Sequence, residues 1–356
     1  MAAKPGHGSG GARRLRIGID SISSTPEIKR RSGLLGSLSI QEEVKNNMRD
    51  IFVNLKRFDV PRRMGGVCPV DDPVQWIEFV VDECVRLGVG ELKEAKVTFC
   101  LPESLIPHAV FQLRSYSPAK TASLFIGCQG VFREDIAPGA NFGAFTTNRP
   151  AAAMKNLGCD WVIIGHSEER ADKLGMFAKY DPAVLEEGPA RVRAKQAVDG
   201  LINAEALTAL RAGLQVLLCV GESAAERGDG DFTVQKPRIE TVLRAQLDRS
   251  LQGFAELGGQ VVIGYEPIWA IGPGKVPPGP EYIDFVAAFI KKAVLEKYGF
   301  KPQVVYGGGL KAGNAGAIGE IAAVDGGLVA LTRFSGEIGF YPEELRIIID
   351  KYLEKA

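Results

Sequence analysis

The chain has 356 residues, 46% hydrophobic and 24% charged, with a net charge of zero. That balance suits an enzyme-sized soluble protein with a large core. The lack of a long basic block speaks against nucleic acid or an anionic membrane surface as the main partner, and no apolar run is long enough to span a bilayer.

Met1 to Arg16 is Gly-rich and lacks acidic residues, so residues 1–16 read as a disordered tail, with a transit peptide as the alternative. Within and beyond it, Leu15-Arg16-Ile17-Gly18-Ile19 has the look of a strand, and residues 17–50 form an extension whose polar stretch shows no clear periodicity. Short apolar runs then alternate with longer amphipathic segments. The runs are Ile51–Leu55, Val97–Leu101, Ser123–Cys128, Trp161–Gly165, Gln215–Val220, Val261–Tyr265, Val304–Tyr306 and Gly327–Leu331. Between them, Val74–Leu87 and Ala204–Ala212 carry apolar residues three and four apart, as helices do. Eight strands alternating with helices imply a parallel sheet, most simply a closed (β/α)8 barrel formed by one domain over 51–356. An open doubly wound sheet is the alternative, but no GxGxxG follows the first strand. Two stretches, 130–148 and about 171–200, read as long loops of functional or interfacial use.

Six cysteines show no CxxC spacing and sit mostly in apolar runs, which predicts buried free thiols in a reducing, cytoplasmic setting. Three histidines are too few for a histidine-rich metal site, so neither a metal nor an organic cofactor is expected.

In a barrel of this kind the site lies where the strands end. The first run ends in Asn54-Leu55-Lys56, the fourth in Gly165-His166-Ser167-Glu168, and the sixth in Glu266. These three ends can meet around one small ligand, with Lys56 as positive charge, His166 as a neutral donor and Glu266 as a base. Pro267 and the glycines of Gly272-Pro273-Gly274 follow Glu266, and such a run suits a lid that excludes water.

Several motifs in order resemble those of the triosephosphate isomerase family, from about Ile51 to the C-terminus. They are Gly143-Ala144-Phe145-Thr146, Trp161 to Glu168, Cys219-Val220-Gly221-Glu222 and Tyr265 to Gly272, together with Asn54-Leu55-Lys56 for the family's Asn-Trp-Lys. The resemblance implies the (β/α)8 barrel and a cofactor-free interconversion of dihydroxyacetone phosphate and D-glyceraldehyde 3-phosphate, a step of glycolysis and gluconeogenesis. It implies Glu266 as the base, His166 as the electrophile, Lys56 and Asn54 as stabilisers of negative charge, and Glu168 as support. Pro267 to Lys275 becomes the lid, with Pro273 biasing its closure.

Phosphate is held in this family by backbone N–H groups, which implies Gly272, Gly308 and Gly309 as donors. After the seventh strand Gly309 replaces the family's serine. After the eighth, Ala330-Leu331 stand where a Gly-Gly pair is expected, and Arg333 follows as a candidate cation. The resemblance also implies a homodimer through the loop bearing Thr146, although Asn148 and Glu169 replace the family's Glu–Arg pair across that interface. The altered eighth turn keeps open another short ketose phosphate, such as a tetrulose phosphate, as substrate. A non-catalytic binding barrel is the remaining alternative.

Overall fold

Each apolar run pairs side by side with the next. The structure, a computed structural model, describes residues 48–255, 261–272 and 274–356. Its strands are β1 Arg49–Asn54, β2 Ala95–Leu101, β3 Leu124–Cys128, β4 Trp161–Ile164, β5 Gln215–Val220, β6 Val261–Tyr265, β7 Gln303–Tyr306 and β8 Gly326–Val329. All pair in parallel in sequence order, and β8 returns to β1 with Ile51 opposite Gly327, so the sheet closes. This is the (β/α)8 barrel expected from the alternation of runs. The strands read as continuous apolar runs because both of their faces are covered. Phe52, Trp161, Ile163, Leu217, Val262 and Leu328 pack together in one cluster, and their sequence neighbours Val53, Val162, Leu218 and Ile263 join the larger one under the helices.

The helix Pro73–Arg86 shows how local sequence sets an element. The Asp72 side chain accepts from the Val74 N–H, Pro73 opens the first turn, and Trp76, Ile77, Val80, Val81 and Cys84 form the buried stripe. The stretch 171–200 departs from the reading as a loop. It lies in two helices, Ser167–Tyr180 and Pro189–Arg211, joined by a short 3-10 turn at Pro182–Leu185. The first has no fully buried residue, and only Leu174 and Phe177 touch the core. The second buries Asp199 and Glu205 beside Val198 and Ile202. Polar side chains in the inward stripe hide the helical period. The 130–148 segment holds no helix or strand; Asp135 ties it down by accepting from the Ala152 N–H at 3.1 Å.

All six cysteines are buried and unpaired. Among the described residues no helix is long and apolar enough to cross a membrane. The tail 1–16, the strand at Leu15–Ile19 and the extension up to Asn47 lie outside the described residues. The end of the extension, Arg49 and Asp50, belongs to β1, which therefore begins before the apolar run that signals it.

Asp50 is the anomaly of this strand. Only 2% of its surface is exposed, and neither carboxylate oxygen has a hydrogen-bond partner. Burial pushes its carboxyl up to about 6, with Lys96 opposing the shift and Asp325 adding to it. The folded protein thus binds this proton more tightly than the unfolded chain. The cost of ionising Asp50 is absent below its ordinary value of 3.8, and is complete once the pH passes about 6. Asp50→Asn is therefore expected to stabilise the fold by on the order of 3 kcal/mol at pH well above 6 and to lose that advantage in acid, as denaturant titrations at both pH values would show.

Candidate active site

β1 delivers Asn54 and, two residues on, Lys56. Lys56 adopts φ +39°, a left-handed conformation that a lysine takes only when its surroundings impose it. Two contacts do so. Asn54 Oδ1 accepts from the Lys56 N–H at 3.0 Å, and Gln129 Nε2 at the end of β3 donates to the Lys56 carbonyl at 2.8 Å. The same Gln129 nitrogen reaches the Cys100 carbonyl at 3.1 Å and Asn54 Oδ1 at 3.3 Å. The Lys56 ammonium then meets Glu168 Oε1 at 2.5 Å. Burial raises the Glu168 carboxyl, but Lys56 and His166 outweigh it and hold it below the usual carboxylate range.

β4 leads into His166, which caps the helix Ser167–Tyr180. Its Nδ1 accepts from the Glu168 N–H at 3.3 Å, which leaves the ring proton on Nε2. Nε2 lies 3.2 Å from Glu266 Oε1. Glu266 comes from the end of β6, is 2% exposed, and also accepts from the Ser167 N–H at 2.9 Å and the Ser167 hydroxyl at 3.4 Å. Burial raises its carboxyl above the ordinary range, against the pull of His166, Ser167 and Arg170. Two glycines make room for it. A Cβ on Gly221 would fall 1.8 Å from the Glu266 carbonyl, and one on Gly307 would fall 2.8 Å from Glu266 Cγ. Asn54, Lys56, His166, Glu168 and Glu266 thus form one connected cluster at the C-terminal ends of three strands.

Behind Glu266 the segment that follows β6 is anchored by Glu222. This fully buried carboxylate accepts from Trp269 Nε1 at 2.7 Å, the Tyr282 hydroxyl at 2.8 Å and the Tyr265 hydroxyl at 3.0 Å. The Arg227 guanidinium stacks on the Trp269 ring at 3.8 Å. Gln129, Ser167 and Glu222 were given no role by sequence reasoning. Glu222 stood inside a quoted motif and Ser167 beside the histidine, but only their contacts reveal what they hold. Gln129 carried no signal beyond its place at a strand end.

The opposite side of the mouth is built differently. Gly272 and Gly309 have φ +116° and +90°, and a Cβ on either would meet no atom within 4 Å, so both expose backbone. Pro273, expected to bias closure, lies outside the described residues. Gly308 sits against the Tyr306 hydroxyl, where a Cβ would come within 2.1 Å. Ala330 and Leu331 follow β8 and pack, half-buried, against the main core. Arg333 does not reach out as a free cation. Its guanidinium bonds Glu344 at 2.6 Å and lies 3.6 Å over the Tyr341 ring. Arg62 from the β1 exit reaches the same Tyr341 hydroxyl at 2.8 Å and Glu337 at 3.1 Å, tying the two exit loops together.

A cleft of about 310 Å³ lies beside the cluster and not over it, lined among others by Gln129, Asn148, Arg149, Glu169, Lys173 and Glu205. None of its lining residues is His166 or Glu266. The side-chain geometry, and not this cleft, marks the candidate site.

A sequence model of the triosephosphate isomerase family matches residues 103–337. The chain is 34% identical over 240 residues to a triosephosphate isomerase of Chloroherpeton thalassium, covering 66% of this chain and 79% of that one. It is 36% identical over 259 residues to one of Trichlorobacter lovleyi, covering 70% and 84%. In fold it is similar to the crystal structure of triosephosphate isomerase from Bartonella henselae. The TM-score is 0.56 at 24% identity, over 86% of this chain and 99% of that one.

Gln129 offers a direct check on the strained turn. Gln129→Leu leaves the Lys56 and Cys100 carbonyls without this donor. The expected loss is about 1–3 kcal/mol of unfolding free energy, read by chemical denaturation.

Proposed function

The chain belongs to the triosephosphate isomerase family and is an isomerase of the intramolecular oxidoreductase class, and we propose that it interconverts dihydroxyacetone phosphate and D-glyceraldehyde 3-phosphate with Glu266 as the base. The observation that carries this reading is the buried Glu266 carboxylate facing His166 Nε2 at 3.2 Å. A proton next to a carbonyl is weakly acidic. Its removal needs a carboxylate kept from water and a donor already placed where the oxyanion forms.

Substrate enters between the two, so that the carbonyl oxygen takes the His166 Nε2–H now pointing at Glu266. Glu266 removes a proton from the carbon beside the carbonyl and returns it to the neighbouring carbon. His166 Nε2–H and the Lys56 ammonium face the negative oxygen of the enediolate, Asn54 holds the Lys56 backbone, and Glu168 orients the ammonium. The segment Pro267 to Lys275 closes over the substrate and keeps water from the intermediate. Backbone N–H groups of Gly272, Gly308 and Gly309 bind the phosphate. At Ala330-Leu331 two side chains occupy a turn where the family places bare backbone, and this favours one second reading, a slightly different short ketose phosphate.

The chain is proposed to act as a homodimer, joined by the loop that carries Thr146. Thr146 is exposed, and the neighbouring Phe142 is 86% exposed at φ +51°. Phe132 and Phe145 stack edge-to-face at 5.7 Å and stiffen the loop behind them. Phe142→Asp is expected to shift the protein to monomer in light scattering behind a sizing column; an unchanged mass removes this loop from the interface.

The decisive measurement is turnover of triose phosphates against tetrulose phosphates. Wild type should turn over the trioses, and Glu266→Gln should lose about 10²–10⁴-fold in kcat. Turnover restricted to four-carbon substrates would replace the triose reading with the second one. The Glu266 carboxyl titrates above its ordinary value, and only its ionised form accepts a proton. The acidic limb of the kcat/KM profile should therefore have its midpoint above 4.5, with activity rising as pH increases through it.

A further inference from the structure

Gly165 joins β4 to His166, and side chains of the following helix hold its peptide at both ends. Glu169 Oε2 accepts from the Gly165 N–H at 2.6 Å, and Arg170 Nε donates to the Gly165 carbonyl at 2.7 Å. Arg170 in turn bonds Asp199 at 2.6 Å and the Cys219 carbonyl at 3.0 Å. Gly165 lies just past the last β4–β5 pair, Ile164 with Leu218, so the ladder supplies no partner for its N–H. Its φ is +76°, and a Cβ there would stand 2.9 Å from the Cys219 carbonyl. The direction in which the chain enters His166 is set in this one tight turn.

Glu169 is itself fixed. Lys173, one helical turn on, bonds Glu169 Oε1 and also bridges to Glu205 of the helix Pro189–Arg211 at 3.0 Å. We propose that Glu169 is a positioning residue for His166: through the Gly165 N–H it sets where Nε2 points, with Lys173 and Glu205 holding it in place. The proposal rests on the isomerase reading of His166. It is one of geometry, because donors that act on a forming oxyanion work only if pre-placed, and a displacement of about 1 Å can cost on the order of a hundredfold in rate.

The charges of this triad are unequal. Burial alone would raise the Glu169 carboxyl, but Glu205, Lys173 and the Gly165 N–H outweigh it and hold it below the usual range. Glu205 is pushed up to about 8 by burial and by the Glu169 charge. Near neutral pH Glu205 therefore keeps its proton, and Glu169 is the one charged carboxylate on the Lys173 ammonium, which also meets neutral Glu205 at 3.0 Å. Above about 8 a second carboxylate forms beside the first and competes for the same ammonium. The other charges around Glu205 across the cleft are Asp172 on the Glu169 helix and Arg149 from the preceding loop. An alkaline limb of activity follows from the weakened hold on Gly165.

The test uses the full chain and three variants: Glu169→Ala, Glu169→Gln and Glu205→Gln. It combines steady-state kinetics on glyceraldehyde 3-phosphate across the neutral and alkaline range with nitrogen NMR of the His166 ring. Glu169→Ala should lower kcat by roughly ten- to a hundredfold with KM changed by less than about threefold, and should move the His166 nitrogen signals. Glu169→Gln, whose amide oxygen still accepts the Gly165 N–H, should recover most of the kcat. Glu205→Gln mimics the protonated acid and should remove the alkaline limb near 8. A folded Glu169→Ala protein with unchanged kcat and unmoved His166 signals would overturn the proposal. If that variant does not fold, Glu205→Gln decides: loss of the alkaline limb supports the proposal, and its retention overturns it. If wild type itself turns over no sugar phosphate, the isomerase reading fails. The NMR comparison still decides the positioning contact, which moved His166 signals support and unmoved ones overturn.

Discussion

A carboxylate from β6 is buried against donors from the exit of β4, and most of the site depends on that contact. Burying a charge without partners costs several kcal/mol, so Glu266 stays inside only because the Ser167 N–H, the Ser167 hydroxyl and His166 Nε2 converge on it. Those donors stand at the first turn of the helix Ser167–Tyr180, where unpaired N–H groups favour negative charge. The contact therefore requires β4, β5 and β6 in register, Gly221 and Gly307 as glycine, and Gly165 in its left-handed turn. Compensation is incomplete, because burial still raises the Glu266 carboxyl. For the base proposed here that residual cost would be useful, because a carboxylate fully satisfied by its neighbours has little appetite for a proton.

The same logic of imposed geometry governs Lys56. Its positive φ carries a cost of order 1–3 kcal/mol. Asn54 and Gln129 hold the turn in which it sits, from two different strands. What they secure is the approach of the ammonium to Glu168 and, beyond it, to the space in front of His166. Lys56, His166 and Glu266 each reach the mouth from a separate strand. Barrel closure is thus what makes the cluster possible, and no short piece of this chain could assemble it.

The strands were legible in the sequence because both faces of each are covered, which leaves continuous apolar runs from Val97 to Leu101 or Gln215 to Val220. The barrel followed from their number and spacing. Lys56, His166 and Glu266 were legible as candidates because each stands at a strand's end. Less visible were elements whose stabilising contacts are polar. The helix Ser167–Tyr180 buries no residue fully, and in the helix Pro189–Arg211 Asp199 and Glu205 interrupt the buried stripe of Ala194, Val198, Ile202 and Ala206, so the apolar period is weak over 171–200. Gln129 and Glu169 act through hydrogen bonds to backbone groups, far away in sequence for Gln129 and hidden in a turn for Glu169. Asp50 was invisible for the opposite reason: a charge at a strand's start reads as a boundary, yet here it is inside. Glu169 was noticed only as a missing interface partner, and its inward role depends on Gly165, Lys173 and Glu205 together.

The two sides of the barrel mouth obey different constraints. On the Glu266 side, buried charges bond one another across strands, so a change at one residue exposes or strands another. At the ends of β7 and β8 the groups are backbone amides and half-buried apolar side chains, and the charges of the neighbouring loops pair with one another. Arg333 is held by Glu344 and stacked on Tyr341, while Arg62 reaches Tyr341 and Glu337 from the β1 exit. This network fixes the exit loops to each other without directing a cation toward Glu266. In the proposed reading the substrate's phosphate is met on this side by the N–H groups of Gly272, Gly308 and Gly309, with Leu331 limiting how closely the eighth turn can approach. Backbone donors recognise an anion's charge and size but little else, so on that reading discrimination between short sugar phosphates would fall to the shape of the wall that Leu331 and the linked loops provide. In the proposed reaction, proton transfer would be set by the Glu266 cluster and the choice of substrate by the linked loops, and no described hydrogen bond or ion pair joins Glu266 or His166 to the Arg62–Tyr341–Arg333 network.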